Sequence, residues 1–207
     1  MLRALGIRYV IVHPNDYSFT QQTNGALKQT LEGLRGSGQI AREQRLLGTN
    51  AFELEPWAVE SSRSSVPIPP DAFRLSVSEA RERLQYLVDG DRDTRWIGGQ
   101  EGASWIAARF GRPSDIARVE LQLATRSLDD LPRELQIDAT DQQGRSRTLY
   151  RATPYPEFIV GFVRDPQYPT IAISLPPNQT VTLSIRETGV SLGRWWSVHE
   201  LRLWRRQ

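Results

Sequence analysis

Between residues 118 and 204 apolar and polar residues alternate with a period of two in short runs. "RVELQLAT" sets Val119, Leu121 and Leu123 against Arg118, Glu120 and Gln122, and "ELQIDAT" sets Leu135, Ile137 and Ala139 against Glu134, Gln136 and Asp138. "TIAISL" and "TVTLSIRET" repeat the pattern, and "VHELRLW" closes it. Successive strand side chains point to opposite faces, so each run has one buried and one wet face. Turn signals separate the runs: Gly111-Arg112-Pro113, Asp141 to Gly144, and Pro176-Pro177-Asn178. Short alternating strands at this spacing predict an antiparallel β-sandwich. The absence of an internal repeat argues against a propeller or solenoid.

The N-terminal quarter reads differently. "IRYVIVH", Ile7 to His13, is a dense β-branched run ending before Pro14, the pattern of a strand buried on both faces. Thr23 or Asn24 caps a helix through "GALKQTLEGLRGSG", with Ala26, Leu27, Leu31 and Leu34 on one stripe and Gly36 to Gly38 at its end. "QIAREQRLLGTNAFELE" gives two strands around Gly48-Thr49-Asn50. Residues 1–56 are thus a small α/β segment, too thin to bury a core of its own. Residues 57–73, beginning "WAVESSRSSVPIPP", are Ser- and Pro-rich without periodicity and read as a linker. The sandwich is expected over 74–207.

Composition mainly excludes. A net charge of +2 gives no general reason to expect nucleic acid. The absence of cysteine removes disulfide and thiolate chemistry, and no apolar run approaches the roughly 18 residues of a membrane span. His13 and His199 are the only histidines, with no Gly-x-Ser-x-Gly elbow and no glycine-rich phosphate loop. Adjacent Asp129 and Asp130 could be paired acids for glycoside hydrolysis, but such pairs are far more often solvated turn residues. The expected chain has no catalytic residues.

One loop asks for an explanation. "VDGDRDTRWIGG" sets Asp89, Asp91 and Asp93 at alternate positions before Thr94 and Trp96. A helical calcium loop needs Gly at its sixth position and Glu at its twelfth, where Thr94 and Gln100 stand. Two readings stay open on the loop alone: a hard cation held by oxygen ligands, or carboxylates that only cap turns.

"LVDGDRDTRW" resembles the signature loop of the F5/8 type C (discoidin) domains, which include the family 32 carbohydrate-binding modules. "SWIAARFG", "ARVELQLAT" and the closing "WWSVHELRLW" continue the resemblance, which runs from Arg74 to the end of the chain. It departs at Arg109, where the family usually has Asp. The resemblance implies a galactose-binding-like jelly-roll sandwich and a structural calcium ion. Asp89 and Glu200 would give side-chain oxygens and Thr94 its hydroxyl and carbonyl; Tyr86, Asp91 and His199 would give main-chain carbonyls. It further implies a glycan or glycolipid as partner, held at loops carrying Arg126, Asp129, Arg133, Arg194 and Trp195. Adjacent Trp195 and Trp196 would point to opposite faces, one in the core and one at a loop edge. A protein-docking module and a lipid-headgroup binder are the alternatives. Residues 1–56 are more loosely similar to the extracytoplasmic tails of bacterial membrane glycosyltransferases, which implies an extracytoplasmic module and a membrane-embedded remainder of the same polypeptide.

Overall fold

Period-two alternation becomes two facing sheets. The computed structural model describes residues 7–46, 48–55, 65–99, 104–189 and 195–207, with the side chains of Leu46, Leu128 and Asp129 set aside. It divides into Met1–Glu60 and Ser61–Gln207.

In the first unit β1 (Tyr9–Val12) and β2 (Ile40–Leu46) flank a central β3 (Thr49–Leu54), all antiparallel. Gly48 turns the β2–β3 hairpin at φ 82°, a conformation that costs glycine little. Between β1 and β2 run two helices. Ser18 and Gln21 close a capping box on α1 (Phe19–Thr23). Gly25, in the left-handed region, joins α1 to α2 (Ala26–Gly36). Thr23 therefore caps nothing; its hydroxyl donates to carbonyls within α1, whereas Asn24 accepts from the Ala26 N–H at 3.1 Å. β1 is not the doubly buried strand that its composition predicts. It lies at a sheet edge, where Val12 is buried and Tyr9 and Ile11 are exposed.

The second unit opens within the expected linker. Ser65–Ile68 forms β4 and pairs with the last strand, so the sandwich begins ahead of residue 74. A proline at a sheet edge sacrifices no inner ladder bond, which lets Pro67 stand in a strand. The five-stranded sheet has the order β10-β9-β12-β7-β5, from β5 (Phe73–Val77), β7 (Trp105–Ser114), β9 (Leu135–Thr140), β10 (Ser146–Ala152) and β12 (Thr180–Glu187). The four-stranded sheet runs β11-β8-β14-β4, with β8 (Ile116–Gln122), β11 (Thr170–Ser174) and β14 (Glu200–Arg206). A short pair, β6 (Trp96–Ile97) with β13 (Ser197–Val198), bridges the loops.

The core takes Ile106, Leu135, Ile137, Leu183 and Ile185 from one sheet and Val119, Leu121, Ile171 and Leu203 from the other. This is the mainly β, antiparallel sandwich that the alternation predicts. Trp96 and Trp196 are fully buried and meet edge to face at 5.3 Å between centroids. Trp105 is half-buried on the other face of β7. The periodicity does not announce α3 (Tyr155–Arg164), whose start holds Pro154 and Pro156. It lies so close to β11 that a Cβ at Gly161 would overlap the Thr170 carbonyl.

Candidate functional site

The acidic loop joins a 3-10 segment (Arg81–Leu87) to β6, and its carboxylates divide the work. The Asp89 side chain accepts from the Asp91 N–H at 2.9 Å and from the Thr94 hydroxyl at 2.9 Å. Asp91 Oδ1 accepts from the Asp93 N–H at 2.9 Å. These are nested turns of the kind Asp supports through its own backbone. Asp93 faces outward to the Arg126 guanidinium at 2.8 Å and the Tyr168 hydroxyl at 2.7 Å. The Tyr168 hydrogen bond and then the Arg126 contact hold its carboxyl below the usual carboxylate range.

Among the described residues Asp89 has no such cation. Its neighbour is Glu200 at the start of β14, a residue only 5% exposed whose Oε1 accepts from the Gly90 N–H at 2.7 Å. Burial pushes the Glu200 carboxyl up, and the Asp89 charge pushes it further. The loop thus meets the strand through two carboxylates. The structure brings together Asp89, Asp91, Thr94 and Glu200 from the expected ligand set, with Tyr86 in the preceding 3-10 segment. Among the described residues no three His, Cys, Asp or Glu side chains converge as a metal cluster, so main-chain oxygens would have to complete any cation site.

His199 takes another part. Its buried ring sets Nδ1 2.9 Å from the Arg92 carbonyl and Nε2 3.2 Å from Ser127 Oγ. Burial pushes the imidazole pKa down, which favours the neutral ring. The carbonyl can only accept, so Nδ1 carries the hydrogen. The ring pins the acidic loop to the 3-10 segment Thr125–Asp130, and its nitrogens are unavailable to a cation.

The expected glycan residues are dispersed in their roles. The Trp195 indole is 47% exposed beside fully buried Trp196, the division expected of the pair. Arg126 is committed to Asp93 by its guanidinium and to the Asp93 carbonyl at 2.8 Å. Arg133 is exposed, and its backbone N–H bonds the Glu187 carboxylate. The Asp129 side chain and all of Arg194 lie outside the described residues. Asp130 is no solvated turn residue: it is 8% exposed and holds Arg95 at 2.6 Å and the Ser197 hydroxyl at 3.0 Å. Sequence reasoning missed this clamp and the Arg92–Asp165 pair at 2.5 Å, which joins residues 73 positions apart.

No family model matches the sequence, and no curated protein resembles it. Solved structures do match the fold. A family 32 carbohydrate-binding module of Clostridium perfringens NanJ, in complex with galactose, aligns at TM-score 0.54 and 14% identity over 68% of this chain and 99% of its own. Another C. perfringens family 32 module, in complex with GalNAc-β-1,3-galactose, aligns at 0.53 and 11% identity over 67% and 99%. The C-terminal domain of a chitobiase from Bacteroides fragilis aligns at 0.52 and 14% identity over 68% and 97%. The second unit has the fold of a family 32 carbohydrate-binding module. The similarity to glycosyltransferase tails rests on the sequence of residues 1–56 alone.

Proposed function

We propose that the second unit is a non-catalytic carbohydrate-binding module that takes a glycan or glycolipid, with a calcium ion holding its acidic loop to β14. The observation that carries the binding reading is Trp195, a large apolar ring left 47% exposed next to a tryptophan that is wholly buried. An exposed indole forgoes hydrophobic stabilisation, and the apolar face of a sugar ring is a fitting cover for it. The two most similar modules described above carry galactose or a galactose-containing disaccharide.

The calcium reading rests on the donor chemistry. Asp89 and Glu200 present oxygens only, and the cost of setting a nearly buried carboxylate beside another is what a hard cation removes. When bound, the ion would supply that positive charge; Asp89, Thr94 and Glu200 would hold it, aided by carbonyls of Tyr86, Asp91 and His199. Asp91 and Thr94 otherwise shape the turn. A module attached to an extracytoplasmic tail of a membrane glycosyltransferase would hold that enzyme's glycan near it. Galactose affinity by calorimetry on the full chain tests the binding reading. Trp195→Ala should abolish heat uptake or release on galactose addition and leave the melting temperature within about 2 °C; a variant that unfolds would place Trp195 in the core instead.

A further inference from the structure

The strand register lays out the outer face of the five-stranded sheet in three rows. The middle row is Ser76, Ala107, Ser184, Asp138 and Thr148, taken across β5, β7, β12, β9 and β10. On one side stand Trp105, Arg186, Gln136 and Arg151; on the other stand Arg74, Arg109, Thr182, Thr140 and Ser146. Side chains of the middle row are short over β5, β7 and β12, so the long ones beside them wall a shallow channel. The channel crosses three strands, roughly 10 Å at about 4.8 Å per gap.

The two halves of the face differ. Over β9 and β10 the polar groups satisfy one another. Asp138, 8% exposed, accepts from Gln136 at 2.9 Å, Thr148 at 2.7 Å and Arg186 at 3.4 Å, and Thr140 bonds Ser146 at 2.8 Å. Arg151 is held by Glu134 at 2.8 Å. Over β5 and β7 the charges are not matched. Arg74 and Arg109 are direct cross-strand partners, both exposed, and neither has a carboxylate among the described residues. Like charges directly opposite in an antiparallel pair are destabilising. Nothing in the packing requires them there, since the core residues of these strands lie on the other face.

We propose that this outer face binds an acidic polysaccharide, with carboxylate or sulfate groups between Arg74 and Arg109 and the chain lying along Ser76, Ala107 and Ser184. This rests on the carbohydrate-binding reading and gives it a ligand class and a second surface. Two guanidinium groups offer the forked donors that suit planar or tetrahedral anions. Ser76, Thr182 and Ser184 add hydroxyls, and the half-buried Trp105 ring at the edge adds an apolar surface. The Asp138 cluster fixes the Arg186 and Gln136 wall and sets a negative charge at the end of the channel. The hydroxyls beside the two guanidinium groups suit a polymer that carries free sugar hydroxyls next to its charges, which a DNA backbone does not.

The test uses the full chain, with alginate as the carboxylated probe, heparin as the sulfated one, and galactan and single-stranded DNA as controls, in affinity electrophoresis. Wild type should be retarded by alginate or heparin. Arg74→Ser with Arg109→Ser should lose tenfold or more of that affinity with an unchanged or raised melting temperature. Trp195→Ala should retain it. Equal retention of the double variant overturns the proposal, as does equal retardation by the DNA. Retention by galactan alone, abolished by Trp195→Ala, overturns this surface and leaves the carbohydrate reading standing. No retardation by any glycan, with no response to galactose, removes both.

Discussion

The two units of the chain use the same kind of strand and obtain different results from it. In β1 alternation leaves Tyr9 57% and Ile11 68% exposed, and β3 buries Asn50, Phe52 and Leu54 on one face. The stripe of α2 is at best half-buried. In β7 the same alternation buries Ile106, Ala108 and Phe110 against residues of a second sheet. Period two decides which side chains share a face. A facing layer decides whether that face becomes dry. Val12, Phe52 and Leu54 are the buried apolar residues of the first unit among those described, which is a small core for a separate domain.

The largest effect should come from separating the units. Residues 61–207 expressed alone should give a cooperative thermal transition, and 1–60 alone should give none by circular dichroism. A folded 1–60 fragment would make the comparison one of size alone. Next comes the core of the second unit. Trp196→Ala should cost ~3–5 kcal/mol in denaturant unfolding. Trp196→Phe should cost less, because the indole N–H it removes has no partner among the described residues. An equal cost would point to the Trp96 edge-to-face contact as the main loss.

Calcium should separate the units further. Saturating calcium should stabilise the second unit by ~2.7 kcal/mol at a hundredfold excess over Kd and leave the circular dichroism of 1–60 unchanged. Glu200→Gln should erase that gain. Without calcium the same variant should be neutral or stabilising, because it removes a charge from a nearly buried site beside Asp89. The smallest effect is spectroscopic. Burial, and then the Glu157 charge, push the Tyr150 phenol up to about 12 from an ordinary 10.0. Because the folded value is the higher one, this contribution is full below pH 10 and is lost as pH rises through about 12. An absorbance titration should find a tyrosine ionising near that upper limit, absent in Tyr150→Phe.

The sandwich was legible because its strands alternate cleanly, as Val119, Leu121 and Leu123 do. β4 was not, because Ser- and Pro-rich composition describes linkers and sheet edges alike, and only its pairing with β14 separates them. α3 was hidden by prolines at its start and by a glycine whose purpose is the approach of Thr170. Within the site, the Asp89–Glu200 meeting was expected from family resemblance rather than from spacing, since the two stand 111 positions apart. The facing arginines were half visible. Arg109 stands out in the sequence as a departure from the family pattern, Arg74 does not, and register alone makes them neighbours.

That same pairing of β4 with β14 has a mechanical consequence. Ser65 faces Arg206 and Ile68 faces Leu203, so a load pulling apart residues 65 and 206 is applied at one end of an antiparallel ladder. Under such a load the cross-strand bonds carry the force one after another, as in a zipper, and not all together as in a sheared sheet. The strand pair would therefore open at low tension, and β4 would peel away from β14, which β8 holds on its other side, before the sheet behind it separates.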